Sequence, residues 1–453
     1  IDEIRRIHDA SLKILAETGV RFEHNAICDL LVERGATLSS SPNVLRLPAA
    51  MAEEHLAMVP GTVSLDWIDG SKVQIAPASA TRYWTTPSMN LYSGAGRRPL
   101  HTTDMCRIAK LSNGLDMVHG VMGTAMHDVP PVYRDFVGVR LLAETCRKHV
   151  RALCFTGMGG EALAEMASIL PGKWLSIGFT AHGPLRWTNL GLEIFKCTSG
   201  HGIPVTVNSE PVLGVSGPVS PAGSMAIGNA EILAGIIVLQ ALEPGRPVIY
   251  NLGLARSLDM RYASAVTGGP EISFFAEASS AMGAFYALPS ASWVSTEAIE
   301  PDAQAGIEKS LSFQAHTQAG VNVVWGVGQL DASMTTSLSQ MVLDNEILHF
   351  LQRLSHGFTV DEDTLQLSLI QDVGIGGSYL DTDHTPHRFA EYTWHPEVLN
   401  RQPYEQANPR LEDTAGRHAE AIIEADTGPS ISEAAARELS QIEQHYRRSI
   451  QSA

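Results

Sequence analysis

Cysteine, charge and long apolar runs are all scarce in this 453-residue chain. Its five cysteines, Cys28, Cys106, Cys146, Cys154 and Cys197, are odd in number and form no C-x-x-C pair. That pattern gives neither a disulfide framework nor a structural zinc spacing, and scattered thiols fit a reducing cytoplasm, the expected location. No uncharged apolar run approaches the ~20 residues of a bilayer span, so no membrane segment is expected. Basic residues are few: 32 Lys+Arg against 49 Asp+Glu leave a formal net charge of −17. This disfavours nucleic acid and anionic membranes as partners and suits a cationic small molecule or a basic protein face. The chain opens at Ile1 without a signal-peptide pattern, so its native N-terminus is expected upstream.

What is present is a large apolar core, with 44% hydrophobic and 18% charged residues. Residues 1–102 read as a helical cap with short strands. Ile4, Ile7, Leu12, Ile14 and Leu15 share one face of a first helix, and "PAAMAEEHLAMVPG" starts another at a proline. From residue 103 to 357 apolar segments alternate with helical patterns at 131–148, 186–200, 222–242, 270–286 and 303–319. Unbroken apolar strands alternating with helices predict a parallel sheet covered on both faces. Seven strands are visible, and the eighth comes either from before residue 103 or from after 358. No GxGxxG opens a helix after the first strand, so a (β/α)8 TIM barrel is expected over a doubly wound sheet. Residues 358–453 form a C-terminal loop and helical extension.

In such a barrel the chemistry lies at the C-terminal strand ends. Those ends carry His127-Asp128, Thr156, Thr180-Ala181-His182, Asn208-Ser209-Glu210, Tyr250-Asn251, Thr296-Glu297 and Gly328-Gln329. Trp is rare, seven in all, yet Trp293 and Trp325 lie near strand ends, and Tyr83, Trp84 and Tyr92 cluster before the barrel. Each aromatic fits core packing. Converging at one mouth, they would hold a quaternary ammonium by roughly 0.5–2 kcal/mol per ring contact. The segment "STEAIEPDAQAG" (295–306) crowds three carboxylates where a strand ends. Asp302 is expected to cap the following helix, and Gln304 to point inward. His182 either meets a substrate carboxylate or holds its loop; Glu210 either faces the ammonium or pairs with an arginine such as Arg246. Arg97-Arg98 is a further candidate for a carboxylate or a partner. The one close histidine pair, His384 and His387, is split by Pro386, which argues for a loop. With no HExxH either, no metal site is expected.

Several stretches carry a resemblance. "IHDASLKILAETGVRF", "SGPVSPAGSMAIGNAEILAGIIVLQALEPGRPVIY", "GGPE" (268–271), "EPDAQAGIEKS", "VLDNEI" (342–347) and "GIGGSYLDTDHTPHRF" resemble, in order, the trimethylamine methyltransferase superfamily. The resemblance implies a (β/α)8 barrel that moves a methyl group from a methylamine to the cobalt of a separate corrinoid protein, so cobalamin belongs to a partner. Enzymes of that family acting on trimethylamine carry pyrrolysine, whereas this chain contains only the twenty ordinary residue types. It resembles the branch that demethylates quaternary amines such as glycine betaine. The expected chemical residues are then His182, Glu210, Gln304 and His384. Trp84, Tyr92, Asn208, Tyr250, Asn251, Trp293, Trp325 and Gln329 are expected to line the pocket. A homo-oligomer is expected. The competing readings are a tertiary-amine demethylase and a non-catalytic quaternary-amine binder.

Overall fold

The apolar segments close into a barrel in the computed structural model, which describes residues 2–403 and 410–452. The strands are β1 Arg82–Thr85, β2 Val118–Met122, β3 His149–Arg151, β4 Leu175–Ala181, β5 Val205–Ser209, β6 Val248–Gly253, β7 Ser290–Trp293 and β8 Val323–Val327. All neighbours are parallel, and β8 closes on β1 with Trp325 opposite Trp84. A helix follows each strand: α1 Thr102–Gly114, α2 Arg134–Thr145, α3 Gly157–Ala167, α4 Asn189–Cys197, α5 Pro221–Leu242, α6 Glu271–Phe285, α7 Ala303–Gln318 and α8 Leu338–His356. β5 and β6 are buried along their whole length, which is why they read as continuous apolar runs. The open question of the eighth strand is settled by Arg82–Thr85. The barrel therefore begins before residue 103, and the boundary expected there falls inside the first βα unit.

α5 is long and apolar enough to cross a membrane. Here β5 and β6 cover one side of it, and the N-terminal helices Asp2–Lys13 and Ala49–Met58 cover the other. Burial on every face explains its lack of a polar stripe. The N-terminal strands Val20–Phe22, Thr37–Leu38 and Val44–Arg46 form a sheet with Arg186–Trp187 from the loop after β4. Phe22 pairs with Trp187 in parallel register. The helix expected from residue 186 thus gives way to a strand, and α4 starts only at Asn189, capped by Thr188.

In the C-terminal extension, Leu411–Ala425 packs on α1 and α8, and Glu433–Ser452 packs on α2 and α3. Between α8 and Leu411 the chain forms an arm with large exposed apolar side chains, including Phe358, Ile375 and Leu380. Residues His384–Tyr392 are helical rather than a loop. Pro386 falls in the first turn, where its missing N–H would have had no helical partner anyway.

Candidate active site

The C-terminal strand ends open onto a cavity of about 360 Å³. Thr86 and Pro87 line it from the end of β1, Met122 from β2, Arg151 from β3, Thr180 from β4, Asn208 from β5, Trp293 from β7 and Trp325 from β8. Leu153 to Phe155, His182, Glu210 and Arg256 add to the wall from the loops.

Arg151 is 5% exposed and its guanidinium lies over the Trp325 ring, 4.9 Å from the centroid. Among the described residues no ion pair or side-chain hydrogen bond reaches it, and Nε is buried without a partner. Burial pulls its pKa down to about 10, so the group stays charged at neutral pH. Across the cavity Arg256 lies 5.0 Å from the Trp293 centroid and forms an ion pair with Glu210. The indole faces expected to receive a substrate cation therefore already carry guanidinium groups. Glu210 does salt-bridge an arginine, but it is Arg256. Arg246 lies elsewhere, donating to the Ile203 and Phe195 carbonyls and to Thr198.

The other expected site residues divide sharply. His182 lines the cavity from an exposed loop. Asn208 lines it as well, donating to the Phe179 carbonyl at 3.1 Å and accepting from Asn251 at 2.9 Å. Asn251 thus supports the wall from behind. Gln329 is buried between the Thr86 and Ser295 hydroxyls and braces the wall in the same way. Five further residues lie away from the cavity wall altogether. Trp84 is packed in the barrel interior, stacked on His149 at 5.3 Å, its ring occupying the space beside Gly120. Tyr250 faces the helices and donates to Asn229 at 2.8 Å. Tyr92 sits on the outer rim near Glu300. Gln304 is exposed on α7 and donates to Glu308. It does not point inward, because the Asp302 cap rotates it onto the solvent face. His384 belongs to the exposed arm and contributes nothing to the cavity wall. Arg97 and Arg98 are taken by Asp331 and Asp104, and Asp128 binds Thr102 at the head of α1.

The carboxylates of "STEAIEPDAQAG" are structural ties. Asp302 accepts from Ala305 N–H at 3.0 Å and caps α7. Glu297 accepts from Thr267 and Gly268, holding the "GGPE" turn that leads into α6. Lys309, from "EPDAQAGIEKS", meets Asp344, from "VLDNEI", at 2.7 Å, with both side chains fully buried. Lys309 also donates to the carbonyls of Gly326 and Gln329, so these two motifs pin the turn leaving β8.

Sequence reasoning missed Arg151 and Arg256. The signal for Arg151 was its place in β3: on a pleated strand His149 and Arg151 share one face while Val150 takes the other. A charged residue inside an otherwise apolar barrel strand marks the lumen.

Residues 1–450 match the family model described as trimethylamine methyltransferase (MTTB). The chain is 26% identical to the trimethylamine methyltransferase MttB of Methanosarcina barkeri, covering 94% of this chain and 92% of that protein. It is 29% identical to the glycine betaine methyltransferase of Desulfitobacterium hafniense strain Y51, covering 92% and 90%. In fold it resembles the monomethylamine methyltransferase MtmB of Methanosarcina barkeri, with a TM-score of 0.54 at 12% identity over 92% of this chain and 87% of that one. Barrel, motif order and full-length match together make this chain a methyltransferase that belongs to the trimethylamine methyltransferase family.

Proposed function

We propose that the enzyme moves a methyl group from a small quaternary amine of the glycine betaine type to the cobalt(I) of a separate corrinoid protein. The carrying observation is that, among the described residues, the cavity offers no free acid or covalent handle on its inner wall. Glu210, the one lining carboxylate among the described residues, is paired with Arg256, and burial pushes the Cys154 thiol well above its ordinary range. A quaternary ammonium needs neither group. As the methyl–cobalt bond forms, the C–N pair stays on nitrogen and a neutral tertiary amine leaves. The corrinoid supplies the nucleophile, and this chain binds, orients and desolvates the amine.

Docking of the acceptor on the mouth is supported by the exposed apolar residues Phe155, Val219, Met260, Tyr262 and Ile299, all on loops at the C-terminal strand ends. Clusters of this kind mark interaction surfaces. The exposed apolar arm around Phe358, Ile375 and Leu380 supports self-association of the chain in the same way. A reducing cytoplasm, where cobalt(I) and the five free thiols persist, is the proposed location.

A tertiary amine would instead require a proton donor as it leaves, and His182 at the rim is the candidate. The test is purified protein with cobalt(I) cobalamin and a panel of methylated amines, read in the visible spectrum as methylcobalamin forms. Methylation by a betaine, and not by dimethylglycine or trimethylamine, is expected. Equal rates from a tertiary amine, abolished in His182→Ala, would favour the second reading, and binding without transfer would leave only a binder.

A further inference from the structure

We infer that Arg151 anchors a substrate carboxylate, so that the substrate is a zwitterionic betaine seated with its carboxylate inward and its trimethylammonium at the mouth. This rests on the quaternary-amine reading above and names, within it, the substrate class and the residue that selects it.

A buried cation without a partner is unfavourable, and folded proteins pair such groups. Arg151 has no such partner among the described residues, yet the structure keeps room for it. A Cβ on Gly178 would lie 2.1 Å from its Nη2, so only glycine on β4 leaves the guanidinium its place. The Trp325 ring holds one of its faces. Its terminal Nη groups, on a residue that lines the cavity, are left for a ligand, and their planar fork matches a carboxylate.

The charges of the cavity also choose the ligand. Glu210 and Arg256 neutralise one another, and Arg151 remains as one uncompensated positive charge. A purely cationic amine such as choline would enter against that charge. A betaine brings the missing carboxylate and is neutral as a whole. Orientation follows from the reaction: the methyl carbon must face an acceptor that approaches from the open mouth. The carboxylate therefore points down to Arg151, while the methyl groups sit higher, beside Phe155.

The experiment is calorimetry on the full chain with glycine betaine, carnitine, proline betaine, choline and 3,3-dimethylbutanoate, the uncharged-carbon mimic of glycine betaine. The wild type should bind at least one betaine about 100-fold more tightly than choline, and should bind dimethylbutanoate as well. Arg151→Met should lose about 100-fold on both carboxylates with no loss for choline. Its thermal stability should be unchanged or higher, because the variant removes an uncompensated charge. Gly178→Ala should weaken the same carboxylate ligands by displacing the guanidinium. Should Arg151→Met fail to fold, Arg151→Lys and the dimethylbutanoate arm of the wild type carry the test. Choline binding as tightly as every betaine, unchanged betaine affinity in Arg151→Met, or no betaine binding at all would overturn the assignment. Methyl transfer is read separately in the cobalt spectrum. Betaine binding without transfer removes the reaction and leaves the anchor, whereas transfer from choline but from no betaine does the reverse.

Discussion

Lys309 Nζ lies 2.7 Å from Asp344 Oδ2, and neither side chain reaches solvent. Asp344 also accepts from the Gly328 N–H at 2.6 Å, so the pair ties α7 and α8 to the turn after β8. Removing one member leaves the other charge buried alone. Lys309→Met should cost about 3–5 kcal/mol in urea unfolding, and Lys309→Met with Asp344→Leu should recover part of that loss. A double variant no more stable than the single one would show that the pair is not the main tie.

The Glu210–Arg256 pair is about a quarter exposed, at 27% and 28%, so its contribution to stability is small. Glu210→Gln should change stability by less than about 1 kcal/mol. It should nevertheless leave Arg256 as a second uncompensated cation beside the cavity, and raise KM for the quaternary amine about tenfold. Replacing Arg256 by Gln in the same chain should return KM toward the wild-type value. A purely structural pair would instead lower stability and KM would not respond to the second change.

Trp84 tests the division between core and pocket. Its ring fills the barrel interior beside Gly120 and His149. Trp84→Ala should destabilise the fold by about 3–5 kcal/mol through the cavity it leaves. Substrate affinity per folded molecule should stay within about threefold. A large affinity loss at full stability would return Trp84 to the binding site.

Two buried carboxyls give a pH dependence to the loops around the cavity. Glu231 on α5 accepts from Leu185 N–H at 2.7 Å and from Ser209, and burial raises its pKa from 4.5 to about 7. Asp135 on α2 accepts from Phe155 and Thr156, and burial raises it from 3.8 to about 6. Both pKa values are higher folded than unfolded, so the native chain holds these protons more tightly. Their contribution is greatest below pH ~4, falls as pH rises toward 7, and levels off above that. Glu231→Gln should therefore gain thermal stability relative to wild type at pH 8 but not at pH 4, measured by calorimetric melting. A difference independent of pH would show that Glu231 does not titrate in this range.

The barrel was legible because its strands are buried on both faces and so stay apolar throughout, while the intervening helices keep their own periodicity. The first strand was less clear. "RYWT" is four residues long, carries an arginine and follows a cap of short strands, so local pattern alone does not assign it to the barrel. The Arg186–Trp187 strand was hidden for a related reason. It pairs with Val20–Phe22, some 165 residues earlier in the chain, and no local propensity encodes such a pairing.

Within the site, the ends of β4 and β5 were legible as holders of His182, Asn208 and Glu210, because polar residues closing an apolar strand mark a strand end. Which groups meet was not. Arg256 lies in the loop after β6 and reaches back to Glu210, while Gln304 faces away because the Asp302 cap sets the rotation of α7.

The residue order by itself determined the βα repeat, the family and the absence of pyrrolysine, since these depend on composition, periodicity and motif order along the chain. Only the tertiary structure decided that Trp293 and Trp325 face guanidinium groups, that Glu210 is spoken for, and that Arg151 has no ion-pair partner among the described residues. Those are statements about which charges cancel, and cancellation falls off over a few ångströms in space with no regard to distance along the sequence.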